Sequence, residues 1–111
     1  MKRRPEASDP TAGCPGFRFA GVAAGIKKNG NRDVALMVAD EPAVTSAVFT
    51  QNRVKAAPVR LSAQHLARRK RLRGVVINSG NANACTGAQG MRDAKDMAVR
   101  AAAATGASSA E

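Results

Sequence analysis

The chain has 111 residues and a formal net charge of +10, which is room for one modest domain at most. Its 44% apolar content is largely alanine, 24 residues, whereas Val, Ile, Leu and Phe together number 19 and Trp and Tyr are absent. No run approaches the roughly 18 apolar residues of a membrane span. Two cysteines without C-x-x-C spacing and one histidine, His65, make no zinc set. Large side chains are too scarce to fill an interior unaided, so the composition implies a chain that completes its core against something else.

Residues 1–14, rich in proline and mixed charge, read as a flexible arm; the paired arginines near the start are followed by no apolar run, so no export signal is read and a cytoplasmic protein with reduced thiols is expected. Residues 17–26 read as extended, with a change of apolar parity across Gly21 that predicts a bulge or close backbone approach. Asn29-Gly30 is a hairpin-turn signal. The apolar run 34–39 predicts a strand covered on both faces, broken by Asp40-Glu41-Pro42, and residues 44–50 predict a third strand.

Residues 58–61 read as extended, with Ser62 capping a short helix and Leu61 and Leu66 forming its hydrophobic staple. That helix fades by Arg71. The five basic residues Arg68, Arg69, Lys70, Arg71 and Arg73 read as its solvated end, since cations suit the negative pole of a helix. The alternative is a small basic nucleic-acid-binding protein, but no aromatic residues are interleaved for stacking. Residues 75–77 predict a buried strand. Residues 88–105 predict a helix with Met91, Ala94, Ala98, Ala101 and Thr105 on one stripe, Met97 beside it, ion pairs Arg92–Asp96 and Asp96–Arg100, and Gly106 as its stop. The order is a strand meander followed by helix, strand and helix: an α/β (α+β) class chain.

Between the last strand and helix lies S-G-N-A-N-A-C-T-G, residues 79–87. A polar loop leading into a helix offers unpaired N–H groups, glycines that let a ligand approach the backbone, and amides and hydroxyls suited to carboxylate, amide or acyl groups. It is neither a Walker loop nor G-x-G-x-x-G. Two readings stay open: a ligand site with Asn78, Ser79, Asn81 and Asn83 as substrate contacts, or a polar turn whose asparagines satisfy their own backbone while Thr86 caps the helix. A thiol at a helix start is activated, so a Cys85–His65 pair is the nucleophilic arrangement to seek. His65 has no acidic orienter nearby in sequence, which favours a packed thiol and an exposed imidazole.

Three segments, P-G-F-R-F-A-G-V-A-A-G-I-K-K (15–28), V-F-T-Q-N-R-V-K-A-A-P-V (48–59) and I-N-S-G-N-A-N-A-C-T-G (77–87), occur in the order and spacing of the bacterial ornithine acetyltransferases, the bifunctional glutamate N-acetyltransferases of arginine biosynthesis. The chain resembles that family over roughly residues 15–106. The resemblance implies acetyl transfer from N-acetylornithine to glutamate, with acetyl-CoA a second donor in some members, and no metal or bound cofactor. It implies self-cleavage into two associated chains, a hetero-oligomer, with a threonine at the new terminus forming the acetyl-enzyme and a Thr-Gly pair as oxyanion hole.

Thr105-Gly106 corresponds to a helix end and Thr86-Gly87 to the Asn-rich loop, so neither supplies that pair, and no catalytic residue is assigned within this chain. Residues 15–111 are expected to be an incomplete N-terminal portion of the acetyltransferase domain, part of a layered α/β/β/α sandwich, inactive without the remainder of the enzyme.

Overall fold

The computed structural model describes residues 14–108, so all of the expected arm except Cys14 lies outside the described residues. The elements are β1 (Phe17–Val22), β2 (Val34–Val44), α1 (Ala57–Arg68), β3 (Arg71–Asn78) and α2 (Gly87–Thr105). The strands form one antiparallel sheet in the order β1-β2-β3, with α1 packed on α2 and α2 on β3. The α+β class is therefore as the sequence implies.

The meander is assembled from different pieces than expected. β2 runs through Asp40-Glu41-Pro42 instead of ending there, because residues 39–42 are accommodated as a bulge between the Val38–Gly74 and Ala43–Leu72 pairs. Two arginines of β3 brace it: Arg71 Nη1 donates to the Pro42 carbonyl at 3.1 Å and Arg73 Nη2 to the Asp40 carbonyl at 3.0 Å. Only Arg68 of the basic cluster lies within α1, so the cluster is not the solvated end of a helix. Residues 45–56 contain no strand, and the third strand is β3. The β1–β2 register passes through the Gly21–Ala35 pair without interruption, so no bulge forms at Gly21. The parity change arises because Val22 belongs to the opposite sheet face from Phe17 and Phe19, and Ile26 lies in the following loop.

α1 begins at Ala57, five residues before the expected cap at Ser62, so residues 58–61 are helical and not extended. Proline in the first turn lacks an N–H that has no partner there anyway, and its φ suits a helix. Ser62 is thus inside the helix, no side chain caps its start, and Leu61 is buried in the cluster with Ala57 and Ala94. In α2 the expected stripe is observed: Ala94 is buried, and Met91 and Ala98 pack against the same cluster. Asp96 pairs with Arg100 at 2.8 Å, whereas Arg92 Nη2 turns back to donate to the Gln89 side-chain Oε1 at 2.7 Å. Gly106 ends the helix in the left-handed region at φ 71°.

The two sheet faces differ. Leu36, Val38, Leu72 and Val76 look toward the helices across an apolar cavity of about 240 Å³ that Ala98, Ala101 and His65 also line. The pairing register puts Phe19, Met37 and Val75 in one row of the other face and Gly21, Ala35 and Ile77 in the next. No helix covers that face: Val75 is 46% exposed and Ile77 55%, so 34–39 and 75–77 are not strands covered on both sides. No side chain among the described residues is fully buried. None of the described helices is long and apolar enough to cross a membrane.

Burial beside the cavity, with a smaller contribution from Arg68, lowers the His65 pKa below its ordinary value. The unfolded chain then binds the proton more readily than the folded one. Stability contributed by neutral His65 is present above about pH 6.5 and is lost as the pH falls through the folded value. Denaturant unfolding of the wild type and of His65→Gln is expected to diverge across that interval, with the variant showing the flatter pH profile.

Candidate functional site

The Asn-rich loop leaves β3 at the sheet end where β1 finishes and β2 starts. The Ser79 N–H donates to the Asp33 carbonyl at 2.8 Å, extending the β2–β3 ladder by one bond. Asn78 then closes a short turn, its Nδ2 donating to the Asn81 carbonyl at 3.2 Å. Gly80 holds φ 96°, a conformation for which glycine is the least strained residue. Cys85 is also left-handed, at φ 56°, and Gly87 follows at φ 61°. These left-handed residues let the eight residues 79–86 reach α2 without a regular element.

Asn83 joins the two helices at this point. Its carbonyl accepts the Ala57 N–H at 3.2 Å, tying the loop to the first turn of α1. Its Nδ2 donates to the Gly90 carbonyl at 2.7 Å, while its Oδ1 accepts from the Thr86 hydroxyl. Thr86 does occupy the N-cap position of α2, but its side chain accepts no cap hydrogen bond; its hydroxyl instead donates to Asn83 Oδ1. A Cβ at Gly90 would overlap both the Thr86 hydroxyl and the Asn83 amide oxygen. The sequence-level capping expectation is therefore corrected, and Gly90 is a requirement of the loop that spacing alone did not reveal.

The four candidate residues divide into two pairs. Asn78 and Asn83 are half-buried and their side chains hold the loop together. Ser79 and Asn81 are exposed, and neither side chain has a hydrogen-bond partner among the described residues. Beyond Asn83 the loop opens on a groove of about 810 Å³, where Cys85, Thr86 and Gly87 face Gln51, Arg53 and Lys55 across the Arg60 side of α1. The 48–59 and 77–87 segments, 17 residues apart in the chain, thus meet at one place.

Cys85 and His65 are not brought into one site. Cys85 is exposed and lines the open groove, whereas His65 is half-buried beside the apolar cavity. The packed thiol and exposed imidazole expected from sequence are therefore reversed, because the left-handed turn at residue 85 throws the thiol outward while α1 turns His65 toward the sheet. Among the described residues no group of three His, Cys, Asp or Glu side chains could hold a metal ion.

Besides Gly90, the sequence does not single out Asp33, the only buried charged side chain among the described residues, at 4% exposure. Its Oδ1 accepts the Ala24 N–H at 2.6 Å, and its Oδ2 accepts the N–H groups of Ile26 at 2.6 Å and Lys27 at 2.9 Å. These bonds hold its carboxyl below the ordinary carboxylate range, Ala24 contributing most, against the opposing effect of burial. The Asn29-Gly30 turn is present, with the Gly30 N–H on the Lys27 carbonyl at 3.3 Å, but it forms part of this longer connection and is no tight hairpin. An aspartate directly before a strand was the available signal.

An antiparallel sheet with helices on one side and a polar strand-to-helix turn place the chain among α+β proteins. Comparison makes this specific: residues 18–111 match the ArgJ family, and the chain belongs to it. It is 59% identical over 90 residues to the arginine biosynthesis bifunctional protein ArgJ of Thermobifida fusca, covering 80% of this chain and 23% of that protein. To the protein of the same name from Geobacter sulfurreducens it is 51% identical over 96 residues, covering 86% and 24%. The chain spans about a quarter of the length of these curated relatives.

Among solved structures it is similar to the arginine biosynthesis bifunctional protein ArgJ of Bacillus halodurans, with a TM-score of 0.82 and 34% identity over 86% of this chain and 50% of that one. It is also similar to the ornithine acetyltransferase of Mycobacterium tuberculosis complexed with ornithine, with a TM-score of 0.77 and 47% identity over 94% and 54%. The nucleic-acid alternative finds no support in these comparisons.

Gly90→Ala should displace both Asn83 side-chain bonds and cost about 1–2 kcal/mol, the net worth of one or two ordinary hydrogen bonds. In a double-mutant cycle read by denaturant melts, Asn83→Ala is expected to add little to Gly90→Ala, although it destabilises the wild type. Full additivity would show that Gly90 and Asn83 act independently.

Proposed function

We propose that this chain is the N-terminal portion of a cytoplasmic enzyme that moves an acetyl group from N-acetylornithine to glutamate, with acetyl-CoA as a further donor for glutamate. The observation that carries the reading is the meeting of the 48–59 and 77–87 segments through the Asn83–Ala57 bond, which sets the end of the polar strand-to-helix turn, Cys85 to Gly87, in an open groove while Ser79 and Asn81 stay exposed outside its lining. Membership of the ArgJ family, and the likeness to an acetyltransferase whose structure holds ornithine, supply the substrate class.

The division of labour follows from which side chains are free. Asn78 and Asn83 shape the loop; Ser79 and Asn81 are the contacts offered to substrate. A carboxamide can donate to an acyl or carboxylate oxygen and accept from an amide N–H, so Asn81 fits an N-acetylated amino acid. The acetyl-carrying threonine and the oxyanion-hole pair belong to the remainder of the enzyme. That remainder is the partner proposed for the uncovered sheet face with Phe19, Met37, Val75 and Ile77, since stacking a second sheet there buries apolar surface at about 25 cal/mol per Å².

Two measurements test this. The isolated chain is expected to show no glutamate-dependent deacetylation of N-acetylornithine; turnover by the chain alone would mean that a nucleophile lies within it. In the complete enzyme, Asn81→Ala should lower kcat/KM for N-acetylornithine by roughly five- to tenfold, the worth of about one hydrogen bond, with little change in melting temperature. Unchanged turnover in Asn81→Ala and Ser79→Ala would reduce the loop to a structural turn.

A further inference from the structure

We propose that Asp33 is a positioning residue for the Asn-rich loop: its carboxylate fixes the turn at residues 24–27, and that turn sets the conformation of residues 79–81. The functional weight of this coupling rests on the acyl-transfer reading above; the coupling itself does not.

Three observations carry it. The first is the carboxylate, buried and occupied on both oxygens by three backbone N–H groups of one short segment. An ionised carboxylate accepts at both oxygens, whereas the carboxamide of an asparagine would turn an NH₂ toward one of those donors. The second is the backbone of the same residue: its N–H donates to the Val22 carbonyl at 2.9 Å and its carbonyl accepts from Ser79 at 2.8 Å. Residue 33 is therefore bonded to the end of β1, to its own loop and to the start of the Asn-rich loop. The third is steric. A Cβ on Gly80 would lie 2.7 Å from Lys27 Cγ and 3.3 Å from Ile26 Cγ2, so the two residues whose N–H groups share Oδ2 press directly on the glycine between Ser79 and Asn81.

Protonation of Asp33 weakens all three acceptor bonds at once. Lys27, Lys28 and Arg32 are the charged groups on its own loop. Val22 at the end of β1, Asn78 at the end of β3 and residues 79–81 carry no titratable side chain. With a folded pKa below the usual value, the stability that Asp33 contributes is present above about pH 3.9 and is lost as the pH falls through the folded pKa.

The test is an amide NMR titration of the ¹⁵N-labelled chain from pH 7 to pH 2. The shifts of Ala24, Ile26 and Lys27 are expected to follow one midpoint, below the ordinary aspartate value of about 3.9, and those of Ser79, Gly80 and Asn81 to follow the same midpoint. Asp33→Asn should abolish the titration in both segments and move the 79–81 resonances at pH 7, leaving the middle of α2 in place. Gly80→Ala, which pushes on Lys27 from the other side, should raise the midpoint toward the ordinary value. Titration confined to residues 24–27, 79–81 resonances unmoved in Asp33→Asn, or an ordinary aspartate midpoint throughout would each overturn the proposal. Should the coupling hold while Asn81→Ala leaves turnover unchanged in the complete enzyme, the acyl-transfer reading of the loop fails and the role of Asp33 stands.

Discussion

The structure depends on β2 being hydrogen-bonded along both edges. β1 and β3 are not hydrogen-bonded to each other, so their placement in the sheet is set through the central strand. Both ends of β2 carry the features that distinguish this sheet from a plain meander. At its start, Asp33 gathers the β1–β2 connection and receives the first residue of the Asn-rich loop. At its far end, the bulge over residues 39–42 is braced by Arg71 and Arg73 across the ladder. The surface pair Arg18–Asp40, 3.4 Å apart and well exposed, adds at most a few tenths of a kcal/mol to that end.

The elements that were legible in the sequence are those whose signals are local. α2 has a stripe of small apolar residues at helical spacing and a glycine stop, and both appear where spacing puts them. The misread elements are those decided by partners distant in the chain. Asp40-Glu41-Pro42 looks like a strand breaker by composition, yet donors from residues 71 and 73 satisfy its carbonyls and the strand continues. Val44 ends β2 opposite Arg71, but residues 46–50, which also have strand composition, pair with no strand among the described residues, and composition cannot provide the partner that β-structure requires. Pro58 suggests an extended chain by composition, but in a first helical turn it is helix-compatible.

The candidate site divides in the same way. That residues 79–87 form a polar strand-to-helix turn follows from their composition, and so does the choice of Asn78, Ser79, Asn81 and Asn83. Which of the four are free does not, because it depends on Gly90 seven residues beyond Asn83 and on Ala57 twenty-six before it. Thr86 shows the same dependence on context: it stands at the N-cap position, yet its hydroxyl donates to the Asn83 amide oxygen and accepts no cap bond. Asp33 lay outside the loop and its acceptor role rests on backbone N–H groups six to nine residues earlier, an arrangement that no short motif announces.

The shortage of large side chains gives these observations a common cause. Alanines on α2 let the helix layer approach the sheet, yet they leave a cavity of about 240 Å³ where a denser core would be filled. Apolar burial alone therefore constrains the loops weakly, and their geometry is carried by hydrogen bonds at Asp33 and Asn83. Such bonds are directional and specify one conformation, but each adds only about 1 kcal/mol to stability. A chain built this way can define a polar turn accurately while leaving Val75 and Ile77 on an uncovered sheet face. Precision at the loop and incompleteness at the core are compatible, because different forces produce them.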